Sequence, residues 1–177
     1  MQADQRTIVL INVVGGCVVL GSYLWGFIAQ TAAMGALWGG VPEAARGIYT
    51  VNMFLAAGGY FLFTPYLVFR WMTVPTLRGP ENTRWLSCLY LAILVPSAMW
   101  LPLTALMLEN PGALLWLVIR VTLVLVGAGA VGLLWTLART RTEDRRPGFK
   151  FAVVGLLPFI LQTAILDAIV WPIYFVR

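Results

Sequence analysis

The chain has 177 residues, of which 60% are hydrophobic and 11% charged, with a net charge of +5. An ordinary globular domain carries roughly 45 to 50% apolar and 25% charged residues, so a soluble fold of this size has no way to hide so much apolar surface. The absence of histidine removes His-ligated haem, the usual zinc sites and Ser-His catalysis.

The first apolar segment, 8 to 29, is long enough for a bilayer core, which takes about 20 apolar residues at about 1.5 Å each. Arg6 is the one cation before it and no small-residue cleavage site follows, so a retained helix is expected rather than a cleaved signal peptide. The next stretch, QTAAMGALWGGVPEAARG, is too broken by glycine and Pro42 to span, and Trp38 suits an interfacial anchor on a loop lying along the membrane surface.

Further spans are predicted at 48 to 71, 84 to 108, 113 to 137 and 151 to 175. The ENPG break from Glu109 to Gly112 forces a tight reversal, which makes the third and fourth helices antiparallel neighbours. Pro65, Pro96, Pro102, Pro158 and Pro172 fall inside spans and predict kinks in the second, third and fifth helices. The expected architecture is all-α, a single domain over 1 to 177, forming an integral membrane bundle of five transmembrane helices.

Lysine and arginine fix the expected orientation. Arg6, Arg70, Arg78, Arg84, Arg139, Arg141, Arg145, Arg146 and Lys150 fall on one side of the five spans, and only Arg46 and Arg177 on the other. The positive-inside rule then puts the N-terminus in the cytoplasm and the C-terminus outside, in an expected bacterial inner membrane. This one-sided placement in loops reads as a topology signal rather than a nucleic-acid surface. Cys17 and Cys88 lie in separate apolar segments without paired spacing, which gives no support to disulfide or redox chemistry.

Two ionisable residues fall well inside spans. Arg120 is seven residues from the outer end of the fourth segment and Asp167 eight from the outer end of the fifth, so both lie roughly 10 to 12 Å deep. An unpaired charge in hydrocarbon costs at least about 2.5 to 3.5 kcal/mol, so an intramembrane Arg120–Asp167 ion pair is expected. Either that pair only fixes helix packing or it lines a cavity toward the outer leaflet.

Trp100, Asn52 and Tyr60 are expected near the same depth and complete an aromatic-walled pocket beneath the Trp38 loop. Trp25, Trp71, Trp85, Trp116, Trp135 and Trp171 fit interfacial belts by position. Gln162 and Thr163 suit hydrogen bonding between helices rather than ligand contact. Glycines at 15, 16, 21, 58, 59, 127, 129 and 132 predict close helix approach, within one chain or between two copies. No Walker loop, dinucleotide fingerprint or nucleophile elbow is present.

In the third span, LYLAILVPSAMWLPL places Trp100 and Pro102 after a Leu-Tyr start, and the second span reads MFLAAGGY from Met53 to Tyr60. With Trp38 and Pro42 in the first outer loop, these stretches resemble the tryptophan-rich sensory protein and translocator family (TspO/MBR), over about thirty residues and the five-helix plan. The sequence departs from that pattern at Ser97, where the family carries a polar amide, and in lacking a consecutive Trp-Pro-Pro run in the first loop. The resemblance implies binding of tetrapyrroles or sterol-like lipids in a cavity among the helices, with transport or sensing as the role.

The leading expectation is a non-enzymatic protein that binds or transports a hydrophobic small molecule, with Trp38, Asn52, Tyr60, Trp100, Arg120 and Asp167 around the site. No catalytic residue, metal or cofactor is expected, and the partners are membrane lipid, the ligand itself, and a second copy or other membrane subunits, not nucleic acid. Two other readings stay open. One is a structural or assembly subunit of a larger membrane complex; the other is a lipid-modifying enzyme with Asp167 as acid or base and Arg120 holding an anionic head group.

Overall fold

The computed structural model describes residues 3 to 29 and 35 to 175. Among them are five helical rods long and apolar enough to cross a membrane, and no strand. The chain is an all-α integral membrane bundle. The rods are α1 (Ala3–Ala29), α2 (Glu43–Phe69), α3 (Pro80–Glu109), α4 (Ala113–Ala138) and a fifth built in three parts: α5 (Phe149–Ile160), a π-helical segment (Leu161–Val170) and α6 (Trp171–Tyr174).

Each rod begins earlier than the apolar pattern predicts or close to it, because polar first turns such as Glu43 and Pro80-Glu81 extend the helix beyond its hydrocarbon-matched core. Pro80 sits in the first turn of α3, where its missing N–H costs nothing. The helical run continues through Pro65, Pro96 and Pro102. Beyond Pro158, by contrast, the fifth rod widens into the π-helical segment.

In the bundle, α1 packs along α3, α3 along α4, α4 against α5 and the π-helical segment, and α5 along α2, while α1 touches α2 only lightly. Glycine decides the closest crossings. A Cβ at Gly59 would stand 2.0 Å from the Gly155 carbonyl oxygen, so α2 and α5 meet backbone to backbone. Gly127 gives the same access to the backbone of Ala164, and Gly129 and Gly132 accommodate Ile93 and Leu89 of α3. Gly16, Gly21 and Gly58 meet nothing within 4 Å. The glycine-rich pattern therefore serves contacts within the chain at some positions and faces outward at others.

Two cores stack along the bundle. One, at the basic end that holds Arg70, Arg139 and Arg145, is built on Phe63, Tyr66, Leu67, Trp71, Leu86, Tyr90 and Leu133. The other, at the end carrying the α3–α4 turn, is built on Val41, Tyr49, Met107, Trp116, Ile119, Trp171 and Phe175. Large apolar side chains cover the outside, with Phe54, Phe61 and Leu114 each 75% exposed. Such a surface is matched by lipid tails and not by water.

The tryptophans divide differently from the belt expectation. Trp25, Trp85 and Trp135 are exposed, whereas Trp71, Trp116 and Trp171 are buried in the two cores. The indole N–H explains two of the buried ones, since Trp71 donates to Thr140 Oγ1 at 2.8 Å and Trp171 to the Leu37 carbonyl at 2.9 Å.

Candidate functional site

The most polar part of the interior is made by the π-helical segment. Pro158 has no N–H to give to the preceding turn, and past it the helix winds about 4.4 residues per turn, so that side chains five apart share a face. Gln162 and Asp167 are such a pair, and Gln162 Nε2 donates to Asp167 Oδ1 at 2.8 Å. From α2, Asn52 Nδ2 donates to Gln162 Oε1 at 3.0 Å and to the Pro158 carbonyl at 3.1 Å. One turn earlier, Tyr49 donates its hydroxyl to the Leu166 carbonyl at 3.0 Å. A polar chain from Asn52 through Gln162 to Asp167 thus bridges α2 and the fifth rod between the two cores. π-Helical turns of this kind are enriched at functional sites.

A run of aromatic rings lies in the same half of the bundle. Trp100 of α3 lies 6.2 Å from the ring of Tyr23 on α1 and 5.9 Å from Trp171, the latter edge to face. Tyr23 and Tyr49 both lie within Coulombic reach of Asp167. Trp171 continues into Phe175 at 4.5 Å, and Phe175 stacks on Trp116 at 5.4 Å. The indole N–H of Trp100 is buried and has no hydrogen-bond acceptor among the described residues.

The short 3-10 turn Ala36–Trp38 closes this end. Trp38 packs edge-on against Tyr49 at 6.0 Å, and the Arg46 guanidinium stands 5.8 Å over the Trp38 ring. Arg46 Nε also donates to the Val41 carbonyl at 3.1 Å, and the Gly40 N–H donates to the Tyr174 carbonyl at 2.7 Å. The turn is thereby pinned to the end of the fifth rod.

Of the six residues expected around the site, Asn52 and Asp167 join through Gln162, while Trp100 packs on Tyr23 and Trp171 and Trp38 packs on Tyr49. Tyr60 stands apart. It lies eight residues beyond Asn52, about 12 Å along α2, where it donates to Asn12 Oδ1 and packs on Phe63, Tyr90 and Phe159.

The Arg120–Asp167 ion pair is not formed. Among the described residues the one ion pair is Arg141 with Glu143 at 3.6 Å, on the exposed basic end. Arg120 is exposed, next to Leu117 and Val121 on the outward face of α4, because the buried stripe of that helix runs through Trp116, Ile119, Leu123 and Val126. Position 120 lies at the edge of that stripe, about 100° from Ile119 and about 40° from Trp116, on the flank toward exposed Leu117. A long arginine side chain on such a face extends toward the interface, which lowers the cost of its charge.

Gln162, Tyr23, Tyr49 and Trp171 were not anticipated as site residues. Five-residue spacing puts Gln162 on a different face from Asp167 in an α-helix, so only the π geometry reveals the pair. Next to the polar chain, an apolar groove of about 350 Å³ opens on the lipid-facing side, lined by Gly47, Ile48, Val51, Asn52, Leu55 and Leu161. Neither a protein-family model, nor a curated protein, nor a solved structure matches this chain.

Proposed function

We propose that the chain binds or transports a hydrophobic small molecule, of tetrapyrrole, sterol-like or other lipid class, as the TspO/MBR resemblance implies. The observation that carries this reading is the polar chain Asn52–Gln162–Asp167, set in an otherwise apolar bundle whose same half holds the ring series Tyr23, Trp100 and Trp171. Polar groups in small number on an aromatic wall orient an apolar ligand, and intramembrane ionisable residues mark sites by default. The groove lined by Asn52 supports a lateral route from lipid, with α2 parting from the π-helical segment to admit the ligand.

Titration of protoporphyrin and of a sterol into the purified protein in nanodiscs is expected to quench tryptophan fluorescence saturably for at least one of them. Trp100→Ala and Asn52→Leu should each weaken that binding about tenfold, equivalent to about 1.4 kcal/mol. Failure of every porphyrin, sterol and lipid tested to saturate would overturn the reading.

The proposed orientation places the N-terminus in the cytoplasm and this site in the outer half of a bacterial inner membrane, in keeping with the basic end defined by Arg70, Arg78, Arg84, Arg139, Arg141, Arg145, Arg146 and Lys150. A reporter fused to the C-terminus is expected to be active only if it works outside the cytoplasm; cytoplasmic activity there would reverse the assignment.

A second reading, a subunit of a larger membrane complex, draws on α1, of which only 6% of the most apolar stretch is buried. Fixed partners copurifying after mild solubilisation would favour it. The enzyme reading loses its arrangement, since Arg120 and Asp167 do not face one another.

A further inference from the structure

Asp167 places a half-buried carboxylate on the fifth rod, and among the described residues no counter-charge pairs with it. Its polar contact is the neutral amide of Gln162, no cation of the described residues lies within salt-bridge distance, and Arg120 faces outward. Arg46, the nearest basic residue along α2, is committed to the Trp38 ring and the Val41 carbonyl. A desolvated carboxylate without a positive partner is costly, and a ligand that brings the positive charge removes that cost.

The surroundings of the carboxylate select the kind of cation. A hard metal ion takes about six oxygen ligands, whereas the groups shown near Asp167 are the amide of Gln162 and the rings of Tyr23 and Tyr49. Tyr23, Trp100 and Trp171 form a continuous aromatic wall with neighbouring centroids 6.2 and 5.9 Å apart, and Tyr49 adds a fourth ring within Coulombic reach of the carboxylate. A carboxylate with several aromatic faces is the arrangement that recognises an organic ammonium, through charge pairing on one side and ring quadrupoles on the others. The buried indole N–H of Trp100, without an acceptor, adds a donor for an oxygen on the same molecule.

We infer that the ligand of this site is an amphiphilic organic cation, its ammonium nitrogen held by Asp167 against Tyr23, Trp100 and Trp171. This assignment rests on the small-molecule reading above and narrows its chemical class. An apolar tail would leave through the groove of Ile48, Val51 and Leu55 toward lipid.

The test compares a phenylalkyl trimethylammonium probe with its uncharged tert-butyl isostere, which matches it in shape and differs in charge. Binding to the full-length protein in uncharged-lipid nanodiscs is read by equilibrium dialysis and by tryptophan quenching, against empty nanodiscs. The cation is expected to bind the protein at least about tenfold more tightly than the isostere. Asp167→Asn, which keeps the shape and a hydrogen-bonding group, should bring that ratio close to one, and Asp167→Glu should preserve a preference.

Equal affinity of the two probes for the wild-type protein would overturn the cation assignment while leaving neutral-ligand binding intact. A preference that survives in Asp167→Asn would overturn the role given to Asp167. Saturable binding of neither probe, alongside saturable porphyrin or sterol binding, would likewise sink the cation assignment alone; loss of all saturable binding would remove both readings.

Discussion

Alanine at Gly59 is expected to destabilise the bundle by about 2 kcal/mol or more, toward the upper part of the range for overpacked interiors. The added methyl would stand 2.0 Å from the Gly155 carbonyl oxygen and 2.8 Å from its carbonyl carbon, and backbone cannot rotate away as a side-chain end does. Relief demands that α2 and α5 separate, which also loosens the bonds that Tyr49 and Asn52 make to the π-helical segment. Gly16→Ala is the matched control, since its methyl meets nothing within 4 Å and gains helix propensity. Unfolding of the two variants in mixed micelles with increasing SDS should separate them clearly. Equal midpoints would mean that the helices do not cross this closely.

Leucine at Gln162 is the second large effect. An interhelical hydrogen bond in a membrane protein is worth about 0.6 kcal/mol on average, so loss of the Asn52 contact alone predicts a small change. Gln162, however, is also the donor to Asp167. Removing it strips the Asp167 carboxylate of that bond, and a hydrogen bond to a charged group is worth about 1.5 to 3 kcal/mol. The second term should dominate, giving a loss of about 3 kcal/mol. Adding Asp167→Asn to Gln162→Leu should restore most of it, because the charge that made the loss expensive is gone. A strictly additive double variant would show that Gln162 and Asp167 are not coupled.

Legibility in the sequence followed the kind of force involved. The spans were readable because hydrocarbon demands about 20 apolar residues in a row, and the five rods fall where those runs lie. The ENPG reversal was equally plain, since Asn110, Pro111 and Gly112 break any helix and α3 and α4 pack side by side. Asn52, Trp100 and Asp167 were identifiable as polar or amphipathic groups at a depth where lipid is a poor solvent. Tyr60 shares a helix with Asn52, but its eight-residue separation, about 12 Å, carries it into the other core.

Gln162 marks the other limit. On α-helical spacing it belongs to a different face from Asp167, and nothing in the local residues except Pro158 announces that the helix widens there. Trp71, Trp116 and Trp171 sit near span ends, where tryptophan ordinarily anchors to the interface, yet each fills a core position set by its neighbours.

By itself, then, the sequence determined the solvent of this protein and the run of its five spans, because hydrophobic length acts along one dimension. Which groups meet was decided only by tertiary structure. Arg120 and Asp167 stand at similar chain distances from their span ends, but α4 presents the arginine outward, and the widened turns after Pro158 bring Gln162 to the carboxylate instead. Azimuth depends on how all five rods pack, with Gly59 against Gly155 setting the closest approach, and no single segment contains that information.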